Sequence, residues 1–176
     1  PANVRRKAIE HVVDGVGLIL AGSRTECVRK LAELVLEKKG SGPSTLFGFD
    51  AHVHPSDAAL VNGTSGHADD YDDTQLSTSS NRIYGLLTHP TTPVLAVALA
   101  SGEMAGCSGQ QLLEAFVVGF EVECKLAEAI NPQHYRRGFH STGTIGAFGA
   151  CAAASRLFGL GEREVRHALG VTASVS

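Results

Sequence analysis

The sequence predicts an all-α fold, a bundle of helices separated by short breaks. Apolar residues recur at the three-to-four-residue spacing of an amphipathic helix along most of the chain. No run of four or more residues alternates apolar and polar in the way a half-buried strand requires. The breaks between periodic segments carry helix stop and start residues, among them Gly22, Gly40-Ser41-Gly42-Pro43 and Asn131-Pro132.

The first helix is predicted over residues 4–21, where Ile9, Val12, Val13, Val16 and Leu20 share a face and Gly22 supplies a stop. A second runs over residues 25–38 with Val28, Leu31, Leu34 and Val35 inward, and Lys38 and Lys39 at the end that favours cations. Residues 44–55 read as irregular. Ser56-Asp57 starts a third helix, which leads into the acidic cluster Asp69-Asp70-Tyr71-Asp72-Asp73-Thr74. The Ser- and Thr-rich stretch from Gln75 to Thr88 reads as a loop, long enough to suggest a functional role. Thr92-Pro93 is an N-cap with Pro at the first helical position, and the helix over 94–104 is so apolar that it must be buried. Ser108 and Gln111 have capping-box spacing, opening a long helix that Asn131-Pro132 ends. Residues 142–158 form a helix of small residues closed by Gly159, and 161–174 form the last. Glycines inside the 142–158 pattern each cost about 1 kcal/mol relative to Ala, which is acceptable where backbones approach closely.

With 176 residues, 43% apolar and 19% charged, the chain is a globular domain with a real core and no internal boundary. A net charge of −3 and the lack of a basic stripe argue against nucleic acid, and no apolar run is long enough to span a membrane. The first residues lack the apolar stretch of a secretory signal. Cys27, Cys107, Cys124 and Cys151 are widely spaced without a CxxC, which fits reduced core thiols and a cytoplasmic protein.

Three groups of residues offer chemistry. His52-Val53-His54 resembles the HxH metal motif of amidohydrolase barrels, but the strand–helix alternation of a barrel is missing, and the pair reads as loop histidines. Asp69-Asp70-Tyr71-Asp72-Asp73 matches the DDxxD pattern of magnesium-dependent isoprenoid synthases, whose second acidic motif and diphosphate-gripping cations are lacking apart from Arg82. The third group is dispersed. His67, Asp70 and Thr74 fall on one face if the third helix continues, His89 precedes Pro90, and His140 stands before a glycine-rich helix start able to dock a carboxylate. Arg136 and Arg137 add positive charge just upstream. Carboxyl, hydroxyl, imidazoles and an anion-binding helix end together suit proton transfer beside a substrate carboxylate.

The segments 58–64 and 67–74, His89-Pro90-Thr91, 119–122, 134–144 and 157–160, and the helix over 165–174, resemble in that order the signature blocks of the MmgE/PrpD family, which contains 2-methylcitrate dehydratase, cis-aconitate decarboxylase and iminodisuccinate epimerase. The resemblance covers essentially the whole chain. It implies the N-terminal part of a helical domain, with an α/β lid domain absent from this chain and the active site between the two. It implies His140, His89, Asp70 and Thr74 as catalytic residues, no cofactor and no metal, with the family's lysines falling beyond Ser176 and one more helix preceding Pro1. His67, Arg136, Arg137 and Ser141 are the accompanying candidates for substrate binding. The expected reaction is a lyase or isomerase step on a small di- or tricarboxylate through a carbanion beside a carboxylate. Dehydration is the first expectation, decarboxylation or epimerisation the alternatives, and a non-catalytic subunit or fragment the reading of a different class. The apolar helices over 94–104 and 142–158 lead to the expectation of cover from outside the chain, from a second copy in a homodimer or a complementing C-terminal portion.

Overall fold

The computed structural model describes residues 1–76 and 88–176. Helix α1 spans Ala2–Gly22 and α2 Glu26–Glu37; strands β1 (Ser44–Thr45) and β2 (His52–Val53) follow, then α3 (Pro55–His67), α4 (Thr91–Ala105), α5 (Gly109–Ile130), α6 (Gln133–Arg136), α7 (Ser141–Leu157) and α8 (Glu162–Val175). The fold is all-α. Among the described residues no helix is long and apolar enough to cross a membrane.

The stretch over 44–55, expected to be irregular, contains a small antiparallel ladder in which Ser44 pairs with Val53 and Thr45 with His52. Two residues per strand are too few to leave an alternation in the sequence. The ladder tucks buried Leu46 and Val53 under α2 and α3. His52 and His54 do not form a pair: His54 caps α3 by accepting the Ser56 N–H on Nδ1, while His52 faces Thr45. The predicted loop from Gln75 to Thr88, with Arg82 in it, lies outside the described residues except at its ends, where the Gln75 N–H donates to the Thr88 carbonyl at 2.9 Å.

Helix α4 is the centre of the bundle and packs against α1, α3, α5 and α7. Val94, Leu95, Ala96, Ala98 and Ala100 are all buried. The expected external cover for this helix is therefore unnecessary, because neighbours within the chain surround it. Its start also differs from expectation. It begins at Thr91, with Pro90 at the cap position and no side-chain cap of its own, and Thr92 turns its hydroxyl elsewhere. The capping box of Ser108 and Gln111 and the stop at Asn131 are as the sequence predicts. Cys27, expected in the core, is exposed; all four cysteines are free thiols.

Helices α5 and α7 meet at their glycines. A Cβ on Gly119 would stand 2.6 Å from the Gly149 carbonyl oxygen, and one on Gly149 would stand 2.9 Å from both the Gly119 carbonyl oxygen and the Glu123 Cβ. Both obstacles are backbone or near-backbone atoms, so the helices can approach this closely only without side chains there. This accounts for Gly149 in the α7 pattern, and a Cβ on Gly146 would stand as close to Pro93 of α4, at 2.9 Å. Gly149→Ala is expected to destabilise the chain by about 1–3 kcal/mol through overpacking. Gly17→Ala, in an exposed part of α1 with open space around it, is expected to stabilise by about 0.5–1 kcal/mol. Denaturant unfolding of the two variants checks the contrast.

Candidate active site

The sequence reading has α3 lead into the acidic cluster, with His67, Asp70 and Thr74 on one face if the helix continues. The structure ends α3 at His67, and Asp70 adopts a left-handed backbone at φ 56°. Aspartate tolerates that conformation better than most residues. The chain therefore folds back instead of continuing, and the one-face alignment of His67, Asp70 and Thr74 does not arise from a helix. Nor do Asp69 and Asp73 share a helix face in the way a DDxxD magnesium site needs.

The turn returns Asp72 to the end of α3. The Asp72 side chain is 1% exposed. Its Oδ1 lies 2.8 Å from His67 Nδ1, and its Oδ2 accepts the Thr92 hydroxyl at 2.8 Å. The next residue, Asp73, accepts the Thr91 backbone N–H at 3.1 Å and the Thr91 hydroxyl at 2.9 Å, with His11 Nδ1 at 3.3 Å. Asp73 thus stands in for the missing N-cap of α4, while Asp72 holds the Thr92 side chain beside it, where negative charge is favoured. Burial raises the Asp73 carboxyl above its ordinary value, the hydrogen bonds from Thr91 opposing that rise.

His89 joins this cluster. Its ring is edge-on to His67 at a centroid distance of 4.9 Å, with Nε2 3.9 Å from Asp70 Oδ1 and Nδ1 3.5 Å from Asp72 Oδ1. His89 Nδ1 is buried without a hydrogen bond among the described residues. Of the predicted site residues, His67, Asp70 and His89 are thereby brought together, and Asp72 lies at their centre. One ligand atom from each of His67, Asp70, Asp72 and His89 falls within 4.8 Å of the others, a set able to hold a metal ion, which the sequence reading did not anticipate. Thr74 is partly buried two residues beyond Asp72.

The other predicted residues cluster at the start of α7. His140 is its N-cap and accepts the Gly143 N–H on Nδ1 at 3.1 Å, so the ring presents Nε2 outward from an exposed position. Thr142, two residues on, accepts the His89 backbone N–H at 3.0 Å and so ties this helix end to the histidine cluster. Arg136 and Arg137 are exposed just upstream. Ser141 is buried, and its hydroxyl is engaged by the Asn131 side chain at 3.0 Å. Between α3, α4 and α7 lies an open groove of about 470 Å³, lined by Leu60, Pro93 and Ala147 along its apolar length and by His67, Asp72 and Gly143 among its polar groups.

Sequence reading missed Glu123. It is fully buried on α5, and its Oε1 accepts the Thr88 hydroxyl at 2.5 Å. The signal for it is a lone acid in register with Phe116, Phe120 and Ala127 on the apolar face of a helix. Burial pushes its carboxyl up to about 8, the Thr88 bond opposing and Asp73 adding to the rise. The neighbouring Cys124 thiol is pushed up to about 12, by burial and then by Glu123, which makes it a poor nucleophile. Between the unfolded value near 4.5 and the folded value of about 8 for Glu123, the folded chain holds a proton that the unfolded chain releases. Stability therefore falls as pH rises through that window, at up to about 1.4 kcal/mol per pH unit. Glu123→Gln is expected to flatten the dependence, leaving a smaller slope of the same sign from Asp73. Unfolding free energies measured across that range check this, and equal slopes in both proteins would mean that Glu123 is ionised when folded.

Comparison with known proteins identifies the family of the chain. The family profile described as MmgE/PrpD N-terminal domain matches residues 1–176. Cis-aconitate decarboxylase of Mus musculus is 31% identical over 175 residues, covering 96% of this chain and 34% of its own length. The Homo sapiens cis-aconitate decarboxylase is 32% identical over 169 residues, covering 93% and 33%. A cis-aconitate decarboxylase-like protein of Aspergillus oryzae is 28% identical over 173 residues, covering 97% and 36%. The chain spans about a third of the length of these relatives, and over that span it belongs to the MmgE/PrpD family, as its N-terminal domain.

Proposed function

We propose that this chain supplies the helical side of a lyase active site that acts on a small di- or tricarboxylate, with cis-aconitate the first substrate to test. The observation that supports it most is the convergence of His67, Asp70, Asp72 and His89 beside the α7 N-terminus that carries His140. Dehydration of 2-methylcitrate is the expectation from family resemblance alone; the names of the relatives move decarboxylation ahead of it.

In this reading the first turn of α7 and the exposed Arg136 and Arg137 hold a substrate carboxylate. Helix N-termini carry unsatisfied N–H groups and a positive dipole end, which favour an anion. His67, fixed by Asp72, contacts the substrate from the groove. When the C–C bond to a carboxylate breaks, its electron pair stays on the adjacent carbon as a carbanion while CO2 leaves. A protonated imidazole of His89, or of His140 once its Nδ1 is released from the Gly143 N–H, then gives that carbon a proton. Asp70 lies beside His89 Nε2 and, with Thr74, orients the ring or the substrate. The Asp72 oxygens are engaged by His67 and Thr92, so in this reading the carboxyl acts through hydrogen bonds.

Incubation of the protein carrying this chain with cis-aconitate, 2-methylcitrate and citrate tests the proposal, with CO2 release and the absorbance of unsaturated acid followed together. CO2 release from cis-aconitate is expected, falling by about 10²–10⁴-fold in His89→Ala or His140→Ala and unchanged by EDTA. Dehydration of citrate or 2-methylcitrate without CO2 release would move the reading to a dehydratase. Activity lost with EDTA and restored by a divalent cation would make the four-residue cluster a metal centre and overturn the proton-transfer roles of His89 and His140.

A further inference from the structure

We infer that Glu123 is a positioning residue of the candidate site, acting through Thr88 and Thr142 to fix the backbone at His89 against the first turn of α7; its catalytic meaning rests on the reaction proposed above. Glu123 touches neither groove nor cluster. It reaches His89 through a buried chain of hydroxyls: Glu123 Oε1 lies 2.5 Å from Thr88 Oγ1, Thr88 Oγ1 lies 3.4 Å from Thr142 Oγ1, and the His89 N–H donates to Thr142 Oγ1 at 3.0 Å.

Counting hydrogens gives this chain a direction. Thr88 has one hydroxyl hydrogen and two oxygens to satisfy, Glu123 Oε1 and Thr142 Oγ1. If Glu123 is ionised, that hydrogen points to the carboxylate, and the Thr142 hydroxyl can donate its own hydrogen back to Thr88. If Glu123 is neutral, its own O–H donates to Thr88, the Thr88 hydrogen is released toward Thr142, and every link has a donor. Burial of the carboxyl, with Asp73 as the nearest like charge and Cys124 beside it on α5, favours the neutral form. Among the described residues, the groups that the other helices place near the carboxyl are Gly146 and Gly149 of α7, with Pro93 of α4 against Gly146. Those glycines leave the volume the carboxyl fills. A Cβ at Gly149 would stand 2.9 Å from Glu123 Oε2. A purely structural acid would be poorly placed in such a site, where an apolar side chain of similar size avoids the cost of burying a carboxyl.

Glutamine is the conservative replacement, because its amide N–H can donate to Thr88 as the neutral acid does. Leucine fills the space without donating. Thr88→Val removes the middle of the chain at nearly constant shape and leaves Glu123 in place, which keeps the inference testable if Glu123→Leu does not fold. Amide hydrogen exchange at His89, read by NMR, is the primary measurement, because it does not depend on turnover. Exchange at His89 is expected to speed up by about 10-fold or more in Thr88→Val and Glu123→Leu, and to stay near the parent value in Glu123→Gln. The amide of Val35 on distant α2 serves as the control for global opening. In the turnover assay, kcat should fall in the same two variants with KM little changed, and recover in Glu123→Gln. Parent-like exchange at His89 in both Thr88→Val and Glu123→Leu would overturn the inference. So would a kcat loss that glutamine fails to rescue. An inactive parent protein whose His89 amide still responds as described would count against the proposed reaction and leave the positioning role standing.

Discussion

The close crossing of α5 and α7 at Gly119 and Gly149 is the constraint on which the rest of the structure depends. Two helices with side chains at those positions would stand farther apart, and the space beside the crossing would no longer match one buried carboxyl. Because the backbones meet, Glu123 lies under the N-terminal half of α7, within reach of Thr88. Thr88 and Thr142 then bring the segment before α4 against the first turn of α7. His89 follows Thr88 directly in the chain. The position of an imidazole at the site is therefore set by glycine packing one helix layer away.

A second constraint acts from the opposite side. The start of α4 lacks a side-chain cap of its own and takes one from the acidic segment, where Asp73 accepts the Thr91 N–H and Asp72 accepts the Thr92 hydroxyl. The same Asp72 holds His67. Anchoring the first turn of the central helix and orienting a candidate site residue thus fall to one side chain. The left-handed turn at Asp70 makes it possible by folding the chain back over the end of α3. Substituting Asp72 would disturb both at once, which makes loss of activity in such a variant hard to interpret on its own.

Much of this was legible in the sequence. Helices α1, α2, α5, α7 and α8 follow from apolar spacing, and the capping box at Ser108 and the stop at Asn131 carry explicit signals. The burial of α4 could be read from its composition; the source of its cover could not, since that depends on how four other helices are arranged. The end of α3 at His67 was not legible, because Gly66 lies inside the helix rather than after it and the residue in the left-handed conformation is an aspartate. The ladder of β1 and β2 is too short to show periodicity. His67, Asp70, His89 and His140 stand out as candidates in the sequence, but the helix face expected to align the first two does not exist. Asp72 became central through the turn, a three-dimensional fact. Glu123 has a signal of its own, an acid on an apolar helix face, and lies just outside the block over 119–122 that carries the family resemblance.

The central claim is that His67, His89 and the α7 N-terminus with His140 form one site for a carboxylate. The most direct measurement is an NMR titration of the histidine side-chain signals with cis-aconitate in the protein that carries this chain. The account predicts that the His67, His89 and His140 signals shift together along a single saturation curve, while those of His52 and His54, at the ladder and the α3 cap, stay in place. Shifts at His52 and His54 with the other three unmoved, or separate saturation curves for His89 and His140, would contradict it.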